Sequence, residues 1–350
     1  MFGDKKIKLN NSMAKTIDAV YLKITNKCNL NCIYCYQQFD SKSCKDGDIR
    51  YYDKILKDYI SEDNIYKFIF GGEPLLDSCI MNLEHLFTNT QDKMIIFTNG
   101  CFSERIRILL LNNVEKIKHL IITIDGPEDI HNMRRKSIYG NTYNMVIENL
   151  KYLINNKIPF AIQINIDCDN VGFVSTLIDR LFISFGSSIL TITLNKVLHT
   201  EKSITELELL KLYVNLVHKY PQLSINVNSS VYRNLSSIIT NNGFIGNRCG
   251  VGKTLIFDFS NSSIYTCPES SNSIIGTFTQ TEVMINNNEV NRYIQYTNKD
   301  IEKCSSCSFK NYCKFGCIID CDLDNKNCKD ETNEELKYIF EHFNSFFNFE

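Results

Sequence analysis

Cys28, Cys32 and Cys35 stand in the run ITNKCNLNCIYCYQ, a Cx3Cx2C spacing with Tyr34 just before the third cysteine. Three thiolates this close can hold a cubane iron–sulfur cluster through three of its four irons. A fourth thiolate would seal the cluster for electron transfer, whereas an open iron can bind and reduce a small molecule. A zinc knuckle, or three unrelated core cysteines, fits the same spacing. The run follows an apolar segment, Ala19-Val20-Tyr21-Leu22-Lys23-Ile24, whose composition predicts a strand with the cysteines at its carboxyl end.

A second group lies near the other end of the chain. Cys304, Cys307, Cys313 and Cys317 read Cx2Cx5Cx3C, Cys321 and Cys328 follow, and Cys249 and Cys267 precede them. This spacing alone does not separate zinc from iron–sulfur ligation. The 350 residues hold 15 cysteines, a number that would suggest disulfides in a secreted protein. The N-terminal stretch MFGDKKIKLNNSMAK has no apolar signal core, and no run of eighteen apolar residues occurs. A cytoplasmic location without membrane contact is expected, and clustered cysteines there mean metal or redox chemistry. Cys44, Cys79, Cys101 and Cys168 are left over as ordinary buried or free thiols. A net charge of −2 with interspersed signs gives no reason to expect nucleic acid as a partner.

The elements that must position these residues read as alternating strands and helices. Strands are predicted over Val20–Thr25, Tyr66–Phe70, Lys93–Thr98, His119–Ile124, Phe160–Asp167 and Ile189–Lys196. The clearest helix is Thr142–Asn155, with Met145, Val146, Asn149, Leu150, Leu153 and Ile154 on one face. Ser203-Ile204-Thr205-Glu206 resembles a capping box that opens a helix reaching about His218. Six strand–helix units predict a parallel α/β architecture with its sites at the carboxyl ends of the strands. Gly71-Gly72-Glu73-Pro74 sits at one such end: paired glycines let a ligand approach the backbone, and Glu73 offers an acceptor for an ammonium group. An ordinary turn reads the same way. Beyond about residue 225 the chain becomes rich in Ser and Asn with short strands, and Thr332–Asn348 predicts a terminal helix.

Together, the cysteine triplet, GGEP, Thr98-Asn99-Gly100 and Thr123-Ile124-Asp125-Gly126-Pro127 with His131 and Arg135 resemble the radical S-adenosylmethionine (radical SAM) enzymes. The C-terminal cysteines resemble the SPASM domain of their peptide- and protein-modifying branch. The resemblance covers about residues 20–330. It implies an α/β fold, a partial (β/α)6 TIM-like barrel over 19–225, a small cysteine-rich iron–sulfur domain over 226–330, and flanking segments 1–18 and 331–350. It implies that Cys28, Cys32 and Cys35 hold a [4Fe–4S] cluster whose open iron chelates SAM. Gly71, Gly72 and Glu73 would grip the methionyl amine. Thr123 would bond the ribose or carboxylate, with Thr replacing the commoner Ser. Arg135 would pair with the carboxylate, with Arg134 as a rival, and Tyr34 would lie near the adenine. His131 is read as structural, and Leu194 to Val197 as lining the adenosine pocket.

The same resemblance implies two auxiliary [4Fe–4S] clusters. One would use Cys249, Cys267 and Cys317, and the other Cys304, Cys307, Cys313 and Cys328, the last chosen over Cys321. Ser262 replaces a frequent glycine five residues before Cys267, and Leu255 stands where some members place a further ligand, which would leave the first auxiliary cluster an open iron. The implied activity is reductive cleavage of SAM and hydrogen abstraction from a ribosomally made peptide, to cross-link or oxidise a side chain. An anaerobic sulfatase-maturing enzyme is the rival, although that group places an aspartate directly after the second upstream cysteine, where this chain has Pro268. A non-catalytic metal-binding or redox-sensing protein is the alternative of another class, but it would need no SAM pocket. Expected partners are a precursor peptide and an electron donor such as flavodoxin or ferredoxin. About twenty residues precede the first strand, so leader recognition is expected from a separate protein or from the barrel surface.

Overall fold

The computed structural model describes residues 19–37, 44–52, 66–90, 93–138, 140–189, 191–198, 200–239, 254–268, 273–295 and 331–347. The first strand, β1 (Ala19–Thr25), buries Val20, Leu22 and Ile24 on one face, the alternation expected of a strand covered by helices on one side. A two-residue strand, β2 (Asn31–Cys32), follows in the cysteine loop. Then come β3 (Tyr66–Gly71), α1 (Ile80–Asn89), β4 (Met94–Thr98), α2 (Glu104–Asn112) and β5 (Ile117–Thr123). After β5 the chain forms α3 (Glu128–Arg134), a second short strand β6 (Arg135–Lys136), and α4 (Thr142–Asn155). The array closes with β7 (Phe160–Ile166), α5 (Val174–Phe185), β8 (Thr191–Lys196) and α6 (Glu206–Lys219). All six predicted strands are present with ends shifted by one or two residues, and the helix over Thr142–Asn155 has the predicted bounds.

At the predicted boundary near 225 lies a further strand, β9 (Ser224–Val227), followed by α7 (Ser230–Ile239). β10 (Thr254–Asp258), β11 (Ser263–Tyr265), β12 (Ile274–Phe278), β13 (Val283–Ile285) and α8 (Asn287–Gln295) come next. One sheet joins them in the order β13-β12-β11-β10-β1-β3-β4-β5-β7-β8-β9, with β2 and β6 pairing separately. Pairing is parallel from β10 through β9 and antiparallel from β10 to β13. The core lies between the sheet and the helices, where Ile69, Ile96, Ile122, Ile162, Ile164 and Leu194 are fully buried. On the other face of the sheet Tyr21, Phe68 and Phe97 stack, the first two with ring centroids 4.3 Å apart. The terminal helix divides into α9 (Glu331–Glu341) and α10 (Phe343–Phe346), whose Phe346 packs against Tyr213 of α6 and Tyr232 of α7.

The capping box of α6 sits two residues later than Ser203 and Glu206 suggested. Thr205 accepts from the Glu208 N–H, and the Glu208 carboxylate accepts from Thr205. Two overlapping Ser/Thr-x-x-Glu patterns compete here. The second prevails because the Ser203 hydroxyl is drawn back to the Val197 carbonyl at 2.6 Å, and Ile204 then buries as the residue before the cap.

Candidate functional site

The cysteine loop leaves the carboxyl end of β1 and is fastened on three sides. Gly72 N–H donates to Thr25 O at 3.0 Å and Glu73 N–H to Lys27 O at 2.8 Å, so the end of β3 holds the start of the loop. A Cβ on Gly72 would lie 2.1 Å from Lys27 O, and one on Gly71, whose φ is +151°, would lie 2.3 Å from Thr25 O. The sequence suggested that these glycines make room for a ligand. In the structure the space their missing side chains leave belongs to the loop backbone itself.

On the second side, Asn99 at the end of β4 spreads its amide between Asn29 Oδ1 at 2.7 Å and Cys28 Sγ at 3.8 Å. Asn29 in turn donates to Cys101 O at 2.8 Å. On the third side, β2 pairs with β6, placing Cys32 opposite Arg135, and Ile33 N–H donates to Arg134 O at 2.9 Å. Cys28, Cys32 and Cys35 are all partly exposed. Burial, reinforced by the Glu73 charge, pushes the Cys28 thiol up to about 12. Burial also raises Cys32, against the opposing pull of Arg135.

Two buried carboxylates organise the ends of the neighbouring strands. Glu73 accepts from Leu75 N–H at 2.9 Å and the Thr98 hydroxyl at 2.7 Å through Oε1, and from Asn99 N–H at 2.6 Å through Oε2. It is fully buried, and desolvation raises its carboxyl despite these donors. Its hydrogen bonds make it a strut between β3 and β4.

Asp125, just past β5, is also fully buried. Its Oδ1 accepts from Asn165 N–H at 3.1 Å, and its Oδ2 accepts from the Tyr34 hydroxyl. The same Oδ2 faces Arg134 Nε at 3.8 Å and Arg135 Nη1 at 3.9 Å. Arg135 Nη1 donates to the Tyr34 oxygen at 2.5 Å, and Asn165 Nδ2 donates to it at 3.3 Å. Arg134 lies with its guanidinium 4.8 Å from the Tyr34 ring centre and pairs with Asp167. Two arginines and two aspartates thus neutralise one another beneath the cysteine loop.

The remaining predicted residues fall around this centre. Tyr34 is brought into it by its hydroxyl as well as its ring. Thr123 is buried at the end of β5. His131 is structural: its Nδ1 accepts from Asp125 N–H at 3.3 Å, and burial beside Arg135 and Arg134 holds its pKa well below the usual histidine value. Cys267 lies two residues past β11, and its N–H donates to Ser273 Oγ at 3.2 Å. Ser262 adopts φ +60°, the left-handed conformation for which glycine is the usual residue. Its N–H donates to Asp258 O at 2.8 Å, closing the turn between β10 and β11. Cys249, Cys304, Cys307, Cys313, Cys317, Cys321 and Cys328 lie outside the described residues. Sequence reasoning assigns no role to Asn29, Asn99, Asp125, Asn165 or Asp167. The available signal was their shared position, short polar residues in the cysteine loop or at the carboxyl ends of strands.

A zinc ion would need its sulfurs about 2.3 Å from one point, and among the described residues no three His, Cys, Asp or Glu converge in that way. Cubane sulfurs bind separate irons and stand further apart. Within the same centre Arg135 Nε is buried without a hydrogen-bond partner among the described residues, an unmet donor suited to an anionic group. The thiol set and the unmet donor fit a cluster with a charged ligand at its open iron.

Residues 22–168 match the model of the Radical SAM superfamily. The chain carries a radical SAM domain. The domain is the part that holds the cysteine loop, both carboxylate struts and strands β1 to β7, and its family implies a 4Fe–4S cluster and SAM as cofactors. The chain is 32% identical over 182 residues to an uncharacterized protein of Methanocaldococcus jannaschii, covering 47% of this chain and 58% of that one. It is 24% identical to a cysteine-type anaerobic sulfatase-maturating enzyme of Clostridium perfringens, over 92% of this chain and 93% of that enzyme. Among solved structures, native anSMEcpe with bound AdoMet superposes with a TM-score of 0.72 at 18% identity, covering 95% of this chain and all of that one. Streptococcus suis SuiB bound to S-adenosylmethionine gives 0.66 at 13% identity, covering 91% and 79%. These two show the shared fold. Among the described residues no helix is long and apolar enough to cross a membrane.

Proposed function

We propose that this radical SAM enzyme modifies a side chain of a peptide or protein, and that its leading substrate is a ribosomally made peptide that it cross-links or oxidises. The observation that carries the reading is likeness over nearly the whole chain to a sulfatase-maturating enzyme. It is supported by fold neighbours solved with peptides, anSMEcpe with Cp18Cys and SuiB with its precursor SuiA. Cys28, Cys32 and Cys35 would hold the cluster, and Arg135, Thr123, Tyr34 and the backbone of the Gly71-Gly72-Glu73 turn would hold SAM. Cys249, Cys267 and Cys317 would hold one auxiliary cluster, and Cys304, Cys307, Cys313 and Cys328 the other. When bound, the cluster and SAM supply a one-electron cleavage that yields a hydrogen-abstracting radical. The chain's own part is to fix the cysteine loop against β3, β4 and β6, to offer the unmet Arg135 Nε donor to an anionic group, and to hold the strand ends with buried carboxylate struts.

Sulfatase maturation is the second reading, favoured by the same full-length relative. Against it, Pro268 and not an acidic residue follows Cys267. The test is anaerobic incubation of the reduced, iron-loaded protein with SAM and either a cysteine-containing sulfatase peptide or the small peptides encoded beside its gene. Formation of 5′-deoxyadenosine with loss of two hydrogens from an encoded peptide supports the leading reading. Formylglycine on the sulfatase peptide alone would replace it with the second. No 5′-deoxyadenosine under any condition would sink both.

A further inference from the structure

Besides its ties to β3, β4 and β6, the cysteine loop meets the sheet beneath it through one carboxylate, Asp125. Tyr34 follows Cys32 by two positions and precedes Cys35 by one, so its backbone is part of the loop. Its phenol oxygen has three partners: it donates to Asp125 Oδ2, accepts from Arg135 Nη1 at 2.5 Å, and accepts from Asn165 Nδ2 at 3.3 Å. Arg135 is paired opposite Cys32 through β6 and reaches the same Asp125 oxygen at 3.9 Å. Asp125 is held in place by groups that belong to neither the loop nor β6. Its Oδ1 accepts from Asn165 N–H, its own N–H donates to His131 Nδ1, and its carbonyl accepts from Asn170 Nδ2 at 2.6 Å. The carboxylate is thus anchored by the ends of β5 and β7 and directs Tyr34 and Arg135 from below.

We propose that Asp125 is the positioning residue of the SAM site. It sets the orientation of the Tyr34 ring and the Arg135 guanidinium relative to the cysteine loop, without touching SAM itself. The inference rests on the radical SAM reading of the site and is independent of which peptide is modified. Removing the carboxylate charge leaves Arg134 and Arg135 facing one remaining aspartate, Asp167, which pairs with Arg134 alone. Arg135 then loses its anionic neighbour and Tyr34 its acceptor, while Lys27, next to Cys28, keeps its backbone bond to Glu73, Cys32 its pairing with β6, and Cys35 its N–H bond to Cys32 O.

The experiment compares wild type, Asp125→Asn, Asp125→Glu, Tyr34→Phe and the Asp125→Asn/Tyr34→Phe double variant, each full-length and iron-loaded. SAM affinity is read by equilibrium dialysis and by the change in the electron paramagnetic resonance spectrum of the reduced cluster on adding SAM. Iron content and the SAM-free spectrum are read alongside. Asp125→Asn is expected to weaken SAM binding about tenfold, the scale of a hydrogen bond to a charged group, with iron content and the SAM-free spectrum unchanged. Tyr34→Phe is expected to weaken it less, Asp125→Glu to recover part of the loss, and the double variant to be no worse than Asp125→Asn alone. Strictly additive losses, or unchanged SAM affinity in both single variants, would overturn the proposal. If Asp125→Asn loses its iron, Tyr34→Phe still decides, since an unaltered SAM affinity there removes the hydroxyl link on which the proposal stands. A wild-type protein that binds no SAM would overturn the site reading and the proposal with it.

Discussion

His131 shows how a single side chain in this centre constrains the molecule. Its Nδ1 accepts a backbone N–H from Asp125, its ring is fully buried, and two arginine charges stand close by. All three hold it neutral when folded. Unfolded, it titrates near its ordinary value of 6.5, so below that pH the unfolded chain binds a proton that the folded chain refuses. Stability is therefore whole above pH 6.5 and declines as the pH falls from there toward the depressed folded value, by up to about 1.4 kcal/mol per pH unit. His131→Asn keeps an acceptor for Asp125 and removes the titration. Urea midpoints at pH 7, 6 and 5.5 should diverge, with wild type losing the more; parallel profiles would refute the assignment. The sequence supported a structural role for His131, because a histidine just past a strand end is more often a turn partner than a base. Asp125 stands in the Thr123-Ile124-Asp125-Gly126-Pro127 motif, but the motif does not reveal its partners at positions 34, 135 and 165. Contacts of that range leave no trace in local spacing.

At the scale of the element, the turn after β3 carries the loop. Gly72 sits with a carbonyl oxygen 2.1 Å from where a Cβ would be, and that oxygen is backbone from the loop that bears Cys28. A methyl group there cannot be relieved by turning a side chain. Gly72→Ala is expected to cost about 2–4 kcal/mol and to lower the iron retained after anaerobic reconstitution. Gly172→Ala is the control, because nothing lies within 4 Å of its added Cβ; it should stay within about 0.5 kcal/mol of wild type. Equal losses in the two variants would show that the turn does not brace the loop. The strands and α4 were legible because period-2 and period-3.6 burial is written in the local sequence. The capping box of α6 was misplaced by two residues because Ser203–Glu206 and Thr205–Glu208 satisfy the same pattern. Only the pull of Val197 on Ser203 separates them.

At the scale of the molecule, β1 is a central strand, flanked by β3 on one side and by β10 on the other. Ala19 to Lys23 pair in register with Thr254 to Asp258, so residues some 235 positions apart share one ladder. Side chains reinforce it: Lys23 pairs with the buried Asp258 at 2.9 Å, Asn26 donates to Ser260 Oγ, and the Phe259 N–H donates to Lys23 O. A Cβ on Gly47 would lie 2.3 Å from that of Phe259, so the segment after the cysteine loop is closed down onto the same hairpin. The change of composition near residue 225 reads as a boundary, since periodicity reports helices and strands but not which strand seeks which. The sheet crosses that point without a break. The strand that launches the cysteine loop and the hairpin that carries Cys267 should therefore open together. In native-state hydrogen exchange with rising urea, amides of β1 and β10 should converge on one opening free energy, because a parallel ladder in the interior of the sheet cannot be released from one half alone. If β10 to β13 exchanged at lower denaturant than β1 by more than about 1 kcal/mol, the two halves would be separate folding units. The position of Cys267 relative to the opening triplet would then be set by something other than this sheet.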